Sequence, residues 1–110
     1  MNKRIEDIVN LLDDKKAEKV EVFNLSDNDY FVDFVVVATA LNERHNVALL
    51  SYLKDELKPK GEEFLNIDES GEWIVIDLGD MLIHLMLQSV RDRFNIEEFL
   101  DSLKKNQINS

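Results

Sequence analysis

The sequence predicts a small α/β domain in which a mixed β-sheet of about five strands is flanked by helices. A nearly continuous apolar run over residues 30–38 is typical of a central strand covered on both faces. Two runs of alternating apolar residues meet at Gly79-Asp80, a pair suited to a two-residue hairpin loop. With 110 residues the chain is long enough for one core and too short for two, so we expect one domain over residues 1–110.

The first half of the chain alternates helices with strands. Apolar residues at helical spacing predict a first helix over residues 3–15 with Asn2 as its N-cap: Ile5, Ile8, Val9 and Leu12. Strands are predicted over residues 20–25 and 30–38. Asn42 is expected to cap a second helix, which Pro59 and Gly61 end, because one side of it carries Val47, Leu49, Leu50, Leu53 and Leu57. A helix that links two strands in this way indicates a right-handed crossover.

The second half is predicted as a short strand, a hairpin and a helix. The short strand covers residues 64–67, and the hairpin covers residues 71–87. Asn95 is expected to cap the last helix with Glu98 completing a capping box, and its buried stripe consists of Ile96, Phe99, Leu100 and Leu103. The tail from residue 104 has little to bury, so we expect it to fray.

The hairpin has two faces of different character. If Leu78 and Met81 flank the loop, one face carries only apolar residues: Ile74, Ile76, Leu78, Met81, Ile83 and Leu85. The other, which we call the mixed face, pairs Trp73 with Met86, Val75 with His84 and Asp77 with Leu82. A surface that combines aromatic, acidic and imidazole groups is typical of a binding or catalytic site.

Composition restricts the classes of partner and chemistry. The chain has 13 basic and 23 acidic residues, a net charge of −10, which disfavours direct nucleic-acid binding and favours a basic protein partner. The absence of cysteine excludes disulfides, thiol catalysis and Cys-ligated metals. The longest uncharged apolar run, residues 34–41, is too short for a membrane helix, and no targeting signal is visible, so we expect a cytoplasmic protein without membrane contact.

The sequence gives only weak evidence for catalytic or metal-binding residues. Asp77 and His84 are diagonal neighbours that could act as an acid–base pair, although a structural or interface hydrogen bond is the favoured interpretation. Asp77 and Asp80, with Asp68 and Glu69, are only a faint metal pattern, since the turn and a solvated loop explain most of them. We therefore predict no catalytic residue, no metal site and no cofactor.

Three basic residues allow two interpretations each. Arg44 and His45 stand at the start of the second helix, where positive charge opposes the helix dipole, so they are either tolerated or kept for a contact. Arg91 could bind a carboxylate or phosphate of a partner, or form an internal ion pair. Trp73, the sole tryptophan, is equally compatible with the core and with a binding surface.

The stretch from Trp73 to His84 resembles the strand-and-turn motif of the ribosomal silencing factor family, also called the Iojap or RsfS family. In that motif a Trp, a hydrophobic run and an Asp precede Gly-Asp, three hydrophobic residues and a His. Residues 33–39, followed by Arg44-His45, are similar to a second family segment. The resemblance extends from about Ile5 to Leu100.

The resemblance implies an Iojap-like fold related to nucleotidyltransferases, although this sequence has no convincing counterpart of their paired-carboxylate strand or Gly-Ser loop. It further implies binding to the large ribosomal subunit through ribosomal protein uL14, which prevents the small subunit from joining and lowers translation when nutrients are scarce. Contact with rRNA would be incidental. We predict a docking surface, with Trp73 and Met86 as anchors, that consists of Trp73, Val75, Asp77, Gly79, Asp80, Leu82, His84, Met86, Arg44, His45 and Arg91.

Two alternatives remain open at this point. One is a nucleotidyltransferase-like enzyme or metal-dependent hydrolase that uses Asp77, Asp80 and His84. The other is a homodimer of the free chain that covers the mixed face, because exposed apolar patches tend to be covered.

Overall fold

A central five-stranded sheet in the order β1-β2-β5-β4-β3 organises the chain. The computed structural model describes the backbone of residues 2–108 and the side chains of residues 2–103. The strands are β1 Glu18–Asn24, β2 Phe34–Ala40, β3 Asn66–Glu69, β4 Trp73–Asp77 and β5 Met81–Leu87. The helices are α1 Lys3–Asp14, α2 Glu43–Leu57, α3 Gln88–Phe94 and α4 Ile96–Ile108, with a 3₁₀ turn at Lys58–Lys60. Strands β2 and β5 pair in parallel and the other three neighbouring pairs are antiparallel, so the sheet is mixed, as predicted.

Helices cover both faces of the sheet and create two apolar layers. On the first face, α1 and α2 pack their buried residues against the apolar side of the hairpin, including Ile74, Ile76 and Ile83. On the second face, α3 and α4 contribute Val90 and Leu100 to a smaller layer over β1, β2 and β5. As a result β5, which lies at the sheet centre, is buried on both sides from Met81 to Met86.

Both predicted N-caps at the first two helices are confirmed. The Asn2 side-chain oxygen accepts from the Ile5 N–H at 2.8 Å, and the Asn42 oxygen accepts from the His45 N–H at 2.8 Å. These bonds satisfy donors that the first helical turn leaves without a partner. The predicted capping box at Asn95 is wrong: Asn95 adopts a left-handed conformation that ends α3, and its side-chain amide donates to Glu98.

Several predicted boundaries shift for identifiable reasons. The second strand begins at Phe34 and extends to Ala40, and the backbone of the preceding Asp33 bonds Leu25, just after β1, and Asp80 of the hairpin loop. Val47 of α2, predicted on the buried side of the helix, is 43% exposed. Its neighbour Asn46 is buried instead, and its side-chain amide donates to the carbonyls of Gly71 and Leu85. The third strand begins at Asn66, two residues later than predicted.

Further differences occur after the hairpin. Helix α3 was not predicted, and α4 continues beyond Leu103 to Ile108. The expected fraying of the tail stays a prediction, and residues 109–110 lie outside the described part of the chain.

The hairpin register is confirmed in full. Trp73 pairs with Met86, Val75 with His84 and Asp77 with Leu82. The Leu78 N–H donates to the Met81 carbonyl at 2.9 Å across the loop, and Gly79 has a φ of 98°.

Arg4 of α1 fixes the loop to the rest of the domain. Its guanidinium donates to both carboxylate oxygens of Asp80, at 2.7 and 2.8 Å, and also to Glu62. Hydrogen bonding to Arg4 lowers the pKa of the Asp80 carboxyl below its ordinary value.

We expect Gly79→Ala to lower the free energy of unfolding by about 1 to 2 kcal/mol, because a Cβ is unfavourable at this positive φ. An added Cβ would also lie 3.3 Å from Leu65 Cδ1. Gly61→Ala shares the unfavourable φ, at 95°, but nothing lies within 4 Å of its added Cβ, so it measures the φ penalty without the Leu65 contact and should lose no more stability than Gly79→Ala. Urea denaturation of both variants measures the effect, and an unchanged midpoint for Gly79→Ala would contradict it.

Candidate functional site

The mixed face of the hairpin lies on the second face of the sheet, where α3 and α4 only partly cover it. Leu82 and Met86 of the central strand are buried in the layer beneath these helices. Trp73, Val75 and Asp77 of β4 are half-buried and reach the surface. Met86, predicted as an anchor, has no exposed surface because β5 is central, so it supports the site from below.

Three neighbouring rings form the middle of the mixed face. The Trp73 indole lies between His84 and Phe94, with ring centroids 5.9 and 5.1 Å apart, respectively. Phe94, the last residue of α3, is 54% exposed, and the Arg93 guanidinium lies 5.4 Å from its ring centroid. Trp73 is therefore part of a partly exposed aromatic surface and not a core residue alone.

His84 is held by a specific hydrogen bond. The Trp73 Nε1–H donates to His84 Nδ1 at 2.9 Å. His84 is 8% exposed, and burial lowers the pKa of its imidazole from 6.5 to about 4. His84 is thus neutral at physiological pH, with the proton on Nε2 because Nδ1 accepts from the indole.

Two carboxylates lie on the same face as the rings. Asp77 accepts from the Gly79 N–H at 2.8 Å through Oδ1, and the residue is half-buried. Asp68 of the edge strand β3 pairs with Val75, so its side chain shares the face of Val75 and His84, and it is exposed. Asp68 is not among the predicted docking residues, because the sequence predicts a loop over residues 68–71. The alternation around the apolar Ile67 could have placed Asp68 on the opposite face, since Ile67 itself packs into the first layer.

The groups weighed as an acid–base pair or a metal site are not brought together. Asp77 bonds to Gly79, Asp80 pairs with Arg4, and His84 bonds to Trp73. Within the described residues, no hydrogen bond joins Asp77 to His84, and no group of three or more His, Cys, Asp or Glu residues could hold a metal ion.

Arg91 is not placed to contact a partner. It is 2% exposed, and its guanidinium donates to the Lys19 carbonyl at 2.7 Å, to Thr39 Oγ1 and Glu21 Oε1 at 2.8 Å each, and to Glu97. The internal ion pair considered as the alternative is what the structure contains.

Arg44 and His45, at the start of α2, have different roles. His45 Nδ1 accepts from the Leu41 N–H at 2.9 Å, and Nε2 bonds the Lys15 carbonyl at 2.8 Å, so His45 joins the end of α1 to the start of α2. Arg44 is exposed and lines an open groove with Leu41 and Leu87. Of the two, only Arg44 is free to contact a partner.

No helix among the described residues combines the length and the apolar character needed to cross a bilayer.

Comparison with known proteins places the chain among ribosome-associated factors. Residues 1–110 match the family model described as ribosomal silencing factor during starvation. The ribosomal silencing factor RsfS of Halalkalibacterium halodurans is 32% identical over 92 residues, which cover 82% of this chain and 79% of that protein. The mouse protein named mitochondrial assembly of ribosomal large subunit protein 1 is 27% identical over 99 residues, covering 86% of this chain and 43% of its own length.

A solved structure agrees with this relationship. An X-ray structure of a Chromobacterium violaceum protein superposes with a TM-score of 0.83 at 30% identity, covering 92% of this chain and 88% of that one. The fold is the small α/β domain expected from the sequence. The chain therefore belongs to the ribosomal silencing factor family.

Proposed function

We propose that this protein represses translation by docking on the large ribosomal subunit through ribosomal protein uL14, which blocks joining of the small subunit. Repression would operate when nutrients are scarce, in keeping with the family description. The mouse relative is named for assembly of the large subunit, which supports the same subunit as the target. The proposal assigns no enzymatic activity.

The observation that supports the proposal best is the aromatic surface, in which Trp73 is half-buried and Phe94 exposed, on the same face as two carboxylates. Rings at a partly desolvated surface are typical of interface hot spots, in which tryptophan is enriched. Asp68 and Asp77 on the same face, with a net charge of −10 over the chain, suit a basic protein surface. The contact surface we propose therefore consists of Trp73, Val75, Asp77, Asp68, His84 and Phe94, with Arg44, Gly79 and Asp80 at more distant positions.

The enzymatic alternative has less support. A nucleotidyltransferase-like or hydrolytic mechanism would need Asp77, Asp80 and His84 to converge on one substrate or metal. Each of them is instead engaged by a different group, and Asp80 is paired with a helix on the first face.

Replacing Trp73 by alanine should weaken binding to purified uL14 by about tenfold or more, because truncation of an interface tryptophan removes a large desolvated contact. Isothermal titration calorimetry measures the dissociation constant, and circular dichroism verifies that the variant is folded. Tyr52→Ala is the matched control, since Tyr52 is an exposed aromatic residue of α2, which packs on the opposite face. Equal affinities for Trp73→Ala and the unaltered chain would contradict the proposed surface.

Subunit joining gives the functional test. Purified large and small subunits are mixed with and without the protein, and the products are separated on a sucrose gradient. We expect fewer joined ribosomes when the protein is present, and we expect the protein to co-sediment with large subunits only. Analytical ultracentrifugation of the free chain would show whether the mixed face is instead covered by a homodimer.

A further inference from the structure

The hydrogen bond from Trp73 determines which nitrogen of His84 carries a proton. An indole N–H is a donor only, so His84 Nδ1 must be the unprotonated, accepting nitrogen. In the neutral ring the proton then resides on Nε2. Burial, which lowers the pKa of His84 to about 4, keeps the ring in this neutral form near pH 7.

The Nε2–H group of His84 forms no hydrogen bond within the described part of the chain. Among the described side chains, the only buried nitrogen or oxygen without a hydrogen-bond partner is Asn46 Oδ1. His84 Nε2 has no partner either but is not fully buried, so it keeps a small contact with solvent. A partner that covers this face must either supply an acceptor to Nε2 or leave a desolvated donor unpaired, which is unfavourable.

We infer that His84 is a specificity-determining residue of the docking surface, whose Nε2–H donates to a backbone carbonyl oxygen of the docked protein, with Trp73 as the positioning residue. This inference rests on the proposed function, because it names the contact made at the same site.

The surrounding charges select the kind of acceptor. Asp68 and Asp77 share the face of His84, so a carboxylate of the partner would be repelled there. A carbonyl oxygen carries no net charge and is available along any extended or looped segment. The same two carboxylates would accept hydrogen bonds from lysine or arginine side chains that flank this carbonyl, as expected of a basic partner.

The decisive experiment uses the unaltered chain and purified uL14. Nitrogen-15 NMR of the imidazole should show an unprotonated Nδ1 and a protonated Nε2 in the free protein. On addition of uL14, the Nε2 proton should become protected from exchange with solvent. Continued rapid exchange of this proton in a complex that does form would overturn the inference while leaving the proposed function intact.

Two variants separate the donor from its positioning. His84→Asn retains an oxygen that can accept from the indole but lacks a donor at the Nε2 position, so we expect uL14 binding to weaken about tenfold. Trp73→Phe keeps a ring but removes the indole N–H, so the NMR spectrum of His84 should change to a mixture of the two neutral forms.

The outcomes distinguish the inference from the proposed function. Absence of uL14 binding by the unaltered, folded chain would overturn the proposed function and the inference with it. Binding of uL14 by a folded His84→Asn variant with unchanged affinity would overturn the inference alone. If His84→Asn fails to fold, the exchange measurement on the unaltered chain still decides.

Discussion

Replacement of Arg91 by methionine should lower the free energy of unfolding by about 2 to 3 kcal/mol. The reason is that its buried guanidinium joins α3 to β1, β2 and the start of α4 through Lys19, Thr39, Glu21 and Glu97. Methionine fills similar volume but leaves the buried Thr39 hydroxyl without this partner. The carboxylates of Glu21 and Glu97 are partly exposed and can be hydrated again, which limits the loss.

Urea denaturation followed by circular dichroism measures this effect. Arg93→Met is the matched control, because Arg93 lies on the same helix but is exposed and contacts only the Phe94 ring among the described interactions. We expect the control to change stability by less than about 0.5 kcal/mol. Similar midpoints for the two variants would show that the buried network contributes little.

Acidification should destabilise the fold through His84 by up to about 3 kcal/mol between pH 6.5 and pH 4. The pKa of His84 is about 4 in the folded chain and 6.5 as a model value, so the unfolded chain binds more protons within this window. Stability therefore rises with pH from about 4 to 6.5, and the contribution of this group is constant above that range. Protonation would also oppose the hydrogen bond from the Trp73 indole.

The difference between two pH profiles isolates this effect. The free energy of unfolding is measured from pH 4.5 to pH 7.5 for the unaltered chain and for His84→Gln, which cannot titrate. The gap between the two curves should change by about 1.4 kcal/mol per pH unit in the middle of the window. A gap that stays constant with pH would contradict the lowered pKa of His84.

The hairpin was predictable because its determinants are local. Alternation of apolar residues and one Gly-Asp loop suffice to place each side chain on a face, and the register of β4 and β5 matches that prediction residue by residue. The caps at Asn2 and Asn42 were predictable for the same reason, since each depends on three consecutive peptide units.

What covers the second face was not predictable from local pattern. Met86 appears as an exposed anchor when only the hairpin is considered, but it lies in the layer that α3 and α4, which follow the hairpin, complete. Helix α3 itself escaped prediction because one of its two buried residues is Arg91, which interrupts any apolar periodicity. Asp68 was missed because pairing of β3 with β4 assigns its face, and its charge suggested a solvated loop.

The carbonyl of Asp80 has a consequence for the order of folding. It accepts from the backbone N–H groups of Asp33 and Phe34, at 2.8 and 3.2 Å, where the parallel pairing of β2 and β5 begins. Closing a two-residue loop loses little chain entropy, whereas bringing β2 to β5 closes a long segment that includes α2. We therefore expect the hairpin to form early and to act as a template on which β2 then aligns, starting at the turn.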